Sequence, residues 1–295
     1  MKPLVVVTNE SAGGTAEEAV GAALSVLSAR TDVRREVCAE PGDLDGVLDG
    51  LGDGEILVVA GGDGSVHTAV AALHRRGRLA ADRPLGLVPL GTGNDLARTL
   101  GIPLDPADAA RALLAGTARA LDLVVDDGDG VVVNAVHLGI GAEAAAKAGA
   151  FKDRLGAAAY AVGSVAAGVR PGGWSLHVEV DGTTVHVDDE VLMVGVANGR
   201  TIGGGAELAP DASPDDGLLD VVVATSTGPL ARLGFATSLR EGDHVERDDV
   251  LVVRGRSVTV SGDEFPVNAD GELYGPVSSR TWTIRPRSWA VLAPR

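Results

Sequence analysis

The sequence predicts an α/β N-terminal domain with a parallel sheet, followed by a β-rich C-terminal domain beginning near Asp122. Three observations carry that prediction. Up to Asp122, apolar strand-like runs alternate with helical patterns, the rhythm of a parallel sheet covered on both faces. Two glycine-rich segments, Gly61-Gly62-Asp63-Gly64-Ser65 and Gly91-Thr92-Gly93-Asn94-Asp95, each lie between an apolar run and a helical pattern. Beyond Asp122, strand-like runs follow one another with few helical patterns between them.

Taken in order, Leu4–Thr8 is apolar throughout and reads as a central strand. The turn Asn9–Gly14 follows, and Thr15 with Glu18 forms a capping-box signature for a helix to about Ala29. Val33–Cys38 is a weaker strand and Leu44–Leu51 a short helix. Ile56–Ala60 and Leu85–Pro89 are strands, each leading into a glycine turn; helices follow at Ser65–Arg76, Asn94–Leu100 and Ala107–Ala115. In the second domain the strand candidates are Val131–His137, Trp174–Val180, Thr183–Val187, Val191–Val196, Leu218–Ala224, Val250–Val253, Ser257–Val260 and Thr281–Arg285. Asp181-Gly182 suits a two-residue hairpin. Glu143–Ala167 reads as an Ala-rich helix or helix pair, and Pro229–Leu239 as another helix.

Composition narrows the function. Aromatics are 3% and the net charge is −16, which argues against nucleic-acid binding by stacking or phosphate contact and against a polybasic membrane anchor. Cys38 is the only cysteine, so no internal disulfide or Cys-based metal site forms. The longest mostly apolar stretch, Gly156–Val169, is shorter than the ~20 residues a membrane span needs. With no signal-peptide pattern before Leu4, the expectation is a soluble cytoplasmic protein.

The two glycine segments carry the chemistry. Glycine lets backbone N–H groups approach phosphates, and a helix start behind the turn attracts negative charge. A nucleotide, and hence a kinase, is implied. Asp63 has the oxygen ligands a Mg²⁺ ion takes, or it hydrogen-bonds amides of its own loop; Asn94 or Asp95 would cap the helix after the second turn, and Thr92 offers a hydroxyl to a phosphate or ribose. There is no Gly-x-x-x-x-Gly-Lys-Ser/Thr and no protein-kinase set. Gly139-Ile140-Gly141-Ala142-Glu143-Ala144 fits a dinucleotide pattern, yet lacks the acidic residue that should end a second strand. Asp270-Gly271-Glu272 is either a turn or a general base, Glu272, for a hydroxyl acceptor. The acidic loop Pro210–Asp220 is either solvated or a divalent-cation site.

In this order the segments resemble the bacterial soluble diacylglycerol-kinase-like lipid kinases, relatives of sphingosine and ceramide kinases. The resemblance covers nearly the whole chain and rests most on Gly61–Ser65, Pro89–Arg98, Ser213–Asp220 and Asp270–Glu272. It implies an N-terminal nucleotide domain like that of NAD kinases and phosphofructokinases, here 1–122 with the returning end 281–295. It implies a sandwich-like C-terminal domain, 123–280, that takes the lipid. ATP would be contacted by the Asn9–Gly13 turn (Asn9, Ser11 and Gly13), by Gly61, Gly62, Asp63, Gly64 and Ser65, and by Gly91, Thr92, Asn94 and Asp95. Glu272 would accept the proton, with Asp270 in the same catalytic motif; Asp63, Asp95 and Asp122 would form an acidic network around nucleotide and metal. Mg²⁺ would bind the carbonyls of Ser213 and Leu218 and the carboxylate of Asp216. The implied reaction is γ-phosphoryl transfer from ATP to a hydroxyl of diacylglycerol or a similar amphiphile, with transient membrane contact.

Five positions depart from the family pattern. Glu10 replaces a proline, Ser65 a threonine, His67-Thr68 an Asn-Glu pair, and Cys38 a threonine. The departures at Glu10, His67, Thr68 and Cys38 keep open a catalytically weak nucleotide-binding regulator, and the Gly-Gly-Asp-Gly turn, shared with other ATP-dependent kinases, keeps open a kinase of a soluble acceptor of NAD or sugar-phosphate type. An antiparallel edge strand in the second domain could support a homodimer.

Overall fold

The structure, a computed structural model, describes residues 2–9, 14–139, 142, 172–186, 190–225 and 228–294. The chain divides into two compact units, residues 1–121 with 287–295, and residues 122–286.

The first unit is α/β. It contains β1 (Leu4–Asn9), α1 (Gly14–Ser28), β2 (Val33–Cys38), α2 (Pro41–Asp49), β3 (Ile56–Gly61), α3 (Asp63–Arg75), β4 (Gly86–Pro89), α4 (Asp95–Thr99) and α5 (Pro106–Ala115). The strands form a parallel sheet in the order β2-β1-β3-β4. β1 and β3 lie between neighbours and are buried on both faces, which is why their sequences are apolar without alternation. β2 is at one end of that order and carries Arg34, Arg35 and Glu36; Arg35 forms a forked pair with Glu17 of α1. Val20, Ala23 and Leu27 of α1 and Val66, Ala69, Val70 and Leu73 of α3 are buried at helical spacing. The chain end joins this unit: Leu85 donates to Ala290 and accepts from Leu292.

The second unit is antiparallel and β-rich. The strands are β5 (Thr117–Asp126, entering from the first unit), β6 (Val131–Val132), β7 (Ala135–Gly139), β8 (Trp174–Val180), β9 (Thr183–His186), β10 (Glu190–Val191), β11 (Met193–Ala197), β12 (Leu219–Ala224), β13 (Val250–Gly255), β14 (Ser257–Ala269) and β15 (Glu272–Ala293). Helix α6 (Pro229–Glu241) precedes β13. The sheet path is β13-β12-β11-β7-β14-β15-β5-β6, with β8 also paired to β14. Trp282 and Phe265 are fully buried among valines of β8, β11, β12 and β14.

Most expected elements are present, including the Asp181-Gly182 hairpin, whose φ values of 50° and 75° suit a two-residue turn between β8 and β9. Three differ. Thr117–Asp126 is a strand that the sequence reading passed over, because its first half is polar and half-exposed. β15 runs far beyond Thr281–Arg285; Pro276 and Pro286 interrupt its apolar pattern without ending it. Helix α1 starts at Gly14, which puts Thr15 inside its first turn rather than at the cap. The Ala-rich segment Glu143–Ala167 lies outside the described residues.

Candidate active site

Parallel register fixes where the glycine turns fall. Thr8 lies beside Ala60, Gly61 beside Pro89, and Asn9 beside Cys38, so four strands end on one edge of the sheet. Helix α3 starts immediately there, with Gly62 as its extended N-cap residue. Helix α4 starts after Asn94, which is left-handed at φ 53°. The two turns meet backbone to backbone. A Cβ on Gly91 would come 2.5 Å from the Gly62 Cα, and one on Gly62 would come 3.0 Å from the Gly91 Cα. Only glycine permits that approach at both positions.

Asp63 locks the two turns together. Its Oδ2 accepts the Asp95 N–H and its Oδ1 the Leu96 N–H, both at 3.1 Å. These are helix-start amides with no partner inside α4. Asn94 is the N-cap residue of α4 as expected, but its side chain makes no cap bond; the carboxylate of Asp63 supplies it. The carboxamide of Asn94 instead closes its own turn, accepting from Gly91 N–H at 2.9 Å and donating to the Gly91 carbonyl at 2.7 Å. Asp95 is buried, while Gly64 and Thr92 are exposed. The Ser65 hydroxyl lies over Gly61, 2.4 Å from where a Cβ would stand. Thr68 donates to the Gly64 carbonyl at 2.8 Å. Asn9 ends β1 on this edge; Ser11 and Gly13 lie outside the described residues.

In the second unit, Asp270 (φ 50°) and Gly271 (φ 93°) form the tight turn between β14 and β15. The Asp270 carboxylate accepts the N–H groups of Val133 at 2.6 Å, Asn134 at 2.9 Å and Ala135 at 3.1 Å. Charge-assisted bonds of this kind are about twice as strong as neutral ones, so the turn is firmly anchored. Glu272, two residues on, is exposed, and among the described residues no hydrogen bond or ion pair engages its carboxylate. An anchored turn thus presents an ionisable carboxylate to solvent.

Asp122 is fully buried. Its Oδ2 accepts the Gly217 N–H at 2.6 Å, and its own N–H donates to the Pro214 carbonyl at 2.7 Å. Asn198 Nδ2 spans the carbonyls of Asp122 (3.3 Å) and Val133 (2.8 Å). Asp270, the 133–135 turn, Asn198, Asp122 and the 213–218 loop therefore form one network. In that loop the Ser213 hydroxyl donates to Asp215 at 2.7 Å and the Leu218 N–H to Asp216 Oδ1 at 3.0 Å. Asp216 Oδ2 is held by Arg254, which also reaches Asp220 Oδ1 at 3.1 Å. A carboxylate already neutralised by a guanidinium does not fit a divalent cation held by Asp216, and among the described residues no group of three His, Cys, Asp or Glu side chains is placed to hold a metal. No helix of the described residues is long and apolar enough to cross a membrane.

Residues 3–125 match the family model described as the diacylglycerol kinase catalytic domain, and residues 134–293 match the YegS C-terminal NAD kinase beta sandwich-like domain. The chain belongs to the diacylglycerol kinase-like lipid kinases. It is 31% identical over 252 residues to a protein named diacylglycerol kinase from Mycobacterium tuberculosis, covering 82% of this chain and 77% of that one. It is 36% identical over 278 residues to a "Probable lipid kinase YegS-like" from Pseudomonas aeruginosa, covering 92% of this chain and 87% of the other. The fold matches that of a diacylglycerol kinase from Bacillus anthracis with a TM-score of 0.73 at 20% identity, covering 99% of this chain and 96% of that one. As a member of this family the protein is a kinase.

The sequence reading did not single out Asn134 or Asn198, and it took Arg254, with Arg256, for a solvated charge at an element end. Asn134 and Asn198 are buried, and their Oδ1 atoms have no partner among the described residues. Their only sequence signal was an asparagine at a strand end, where a turn is the ordinary reading.

Proposed function

We propose that the protein transfers the γ-phosphoryl group of MgATP to a hydroxyl of diacylglycerol or a similar amphiphile. The observation that carries this reading is the pair of glycine turns packed Cα against Cα at the carboxyl edge of a parallel sheet, clamped by Asp63. Backbone amides at a helix start suit the β- and γ-phosphates, and α3 begins at that turn. The family match over both halves supports the kinase assignment, and the relatives named diacylglycerol kinase and lipid kinase support the acceptor class.

Phosphoryl transfer needs mainly positioning and charge neutralisation. The turns containing Gly61–Ser65 and Gly91–Asp95, together with Asn9, Ser11 and Gly13, hold the nucleotide; its Mg²⁺ arrives with the substrate. The acceptor oxygen attacks the γ-phosphorus, the bond to the β-phosphate oxygen breaks, and Glu272 takes the hydroxyl proton. Asp270 positions Glu272 by fixing its turn, and Asp122 ties that network to the acidic loop. The reaction draws on cytoplasmic ATP.

The test supplies γ-labelled ATP with short-chain diacylglycerol in mixed micelles, and in parallel with NAD and with a sugar phosphate. Labelled phosphatidic acid supports this reading. Label only in NAD or sugar phosphate, or ATP binding with no transfer at all, would overturn it in favour of a soluble-acceptor kinase or a nucleotide-binding regulator.

A further inference from the structure

The family resemblance implies a divalent cation on the carboxylate of Asp216 and the carbonyls of Ser213 and Leu218. In this chain both oxygens of the Asp216 carboxylate are already engaged. The Ser213 carbonyl accepts the Asp216 N–H at 3.4 Å, and the Leu218 N–H donates to Asp216 Oδ1 at 3.0 Å. The second oxygen of Asp216 is held by Arg254.

Two features make Arg254 a built part of this loop. It stands directly across from Asp220 in the β12–β13 register, so the sheet itself places the guanidinium beside the loop. Its Nε reaches Asp220 Oδ1 at 3.1 Å, and Asp220 is 3% exposed. One guanidinium therefore bridges the carboxylate that starts the loop turn and the carboxylate that opens the next strand. Arginine stays charged at any working pH, and its planar fork can serve two carboxylates at once. A divalent ion on Asp216 would stand against that guanidinium and be repelled by it.

We propose that Arg254 takes the place of a resident divalent cation in this protein, tying the 213–218 loop to β12 through Asp216 and Asp220. The second unit is then ordered without metal, and the only Mg²⁺ the protein uses is that carried by ATP. Removing the guanidinium leaves Asp216 and Asp220 facing each other without a cation. Asp220 Oδ2 is already buried and without a partner among the described residues. Burial raises the pKa of Asp220 and Arg254 opposes that rise, so the loss of Arg254 leaves a poorly compensated carboxylate. Paired oxygens of this kind are what a hard divalent ion takes.

The test uses nucleotide-free full-length protein treated with EDTA. Thermal unfolding is followed with and without millimolar Mg²⁺, against KCl of equal ionic strength, and Mn²⁺ binding is titrated by electron paramagnetic resonance. Wild type should show no Mg²⁺-specific shift in Tm and no Mn²⁺ binding that Asp216→Asn removes. Arg254→Gln should melt lower in EDTA, recover with Mg²⁺, and bind Mn²⁺ in a manner that Asp216→Asn abolishes. Stoichiometric Mn²⁺ binding by wild type that is lost in Asp216→Asn would overturn the proposal. So would an Arg254→Gln protein that is indifferent to Mg²⁺. If Arg254→Gln does not fold, the wild-type titration with its Asp216→Asn control decides alone.

Discussion

His137 and His244 each carry a buried ring nitrogen that bears on the response of this protein to acid. His137 lies on β7 with its Nδ1 buried and without a partner among the described residues, and burial lowers its pKa from 6.5 to about 4. His244, fully buried, is lowered by the same cause; the Leu208 carbonyl at 2.9 Å from its Nε2 opposes the shift. The unfolded chain takes up these protons near pH 6.5, while folded His137 takes its proton only near pH 4. The unfolded state therefore binds more protons in that window, and stability falls as pH drops through it. For His137 the loss reaches at most about 3 kcal/mol. Urea unfolding between pH 6.5 and about pH 5 should show stability falling with acid, and His137→Gln should flatten that slope; an unchanged slope in the variant would remove His137 from the account. Asp270 is an anchor for its turn. Its carboxylate accepts three backbone amides, and its motif was legible in the sequence, although the partners 135 to 137 positions away were not.

At the scale of elements, the two glycine turns were legible because each stands between an apolar run and a helical pattern. Their contact was not. It depends on parallel register between β3 and β4, which sets Gly62 against Gly91. The same holds for the cap on α4, supplied by Asp63 from 32 positions earlier rather than by the adjacent Asn94 or Asp95. Arg254 meets Asp216 from 38 positions away, across a strand pair no local pattern predicts. Strands β5 and β15 were missed or shortened because polar stretches and prolines break an apolar pattern without breaking a ladder. The turn contact gives a direct expectation. Gly91→Ala puts a Cβ 2.5 Å from the Gly62 Cα, where backbone has no room to give. It should separate the turns, lower stability by about 1–3 kcal/mol, and weaken ATP binding at least tenfold by calorimetry. An alanine variant that binds ATP as wild type does would show that the packed turns are not the nucleotide cradle.

At the scale of the whole molecule, the chain combines a parallel α/β unit bearing the glycine turns with an antiparallel unit bearing the Asp270–Glu272 turn. The net charge of −16 disfavours anionic bilayers, so a lipid acceptor is best presented in neutral micelles. Glu272 is the residue we propose to remove the acceptor proton during transfer from ATP. The most direct measurement is the single-turnover rate of label transfer to short-chain diacylglycerol by wild type and Glu272→Gln, with ATP affinity and Tm measured alongside. In Glu272→Gln, ATP affinity and Tm should be unchanged and the rate lowered at least a hundredfold, the usual contribution of a positioned base. A Glu272→Gln enzyme that transfers label at the wild-type rate would contradict that role.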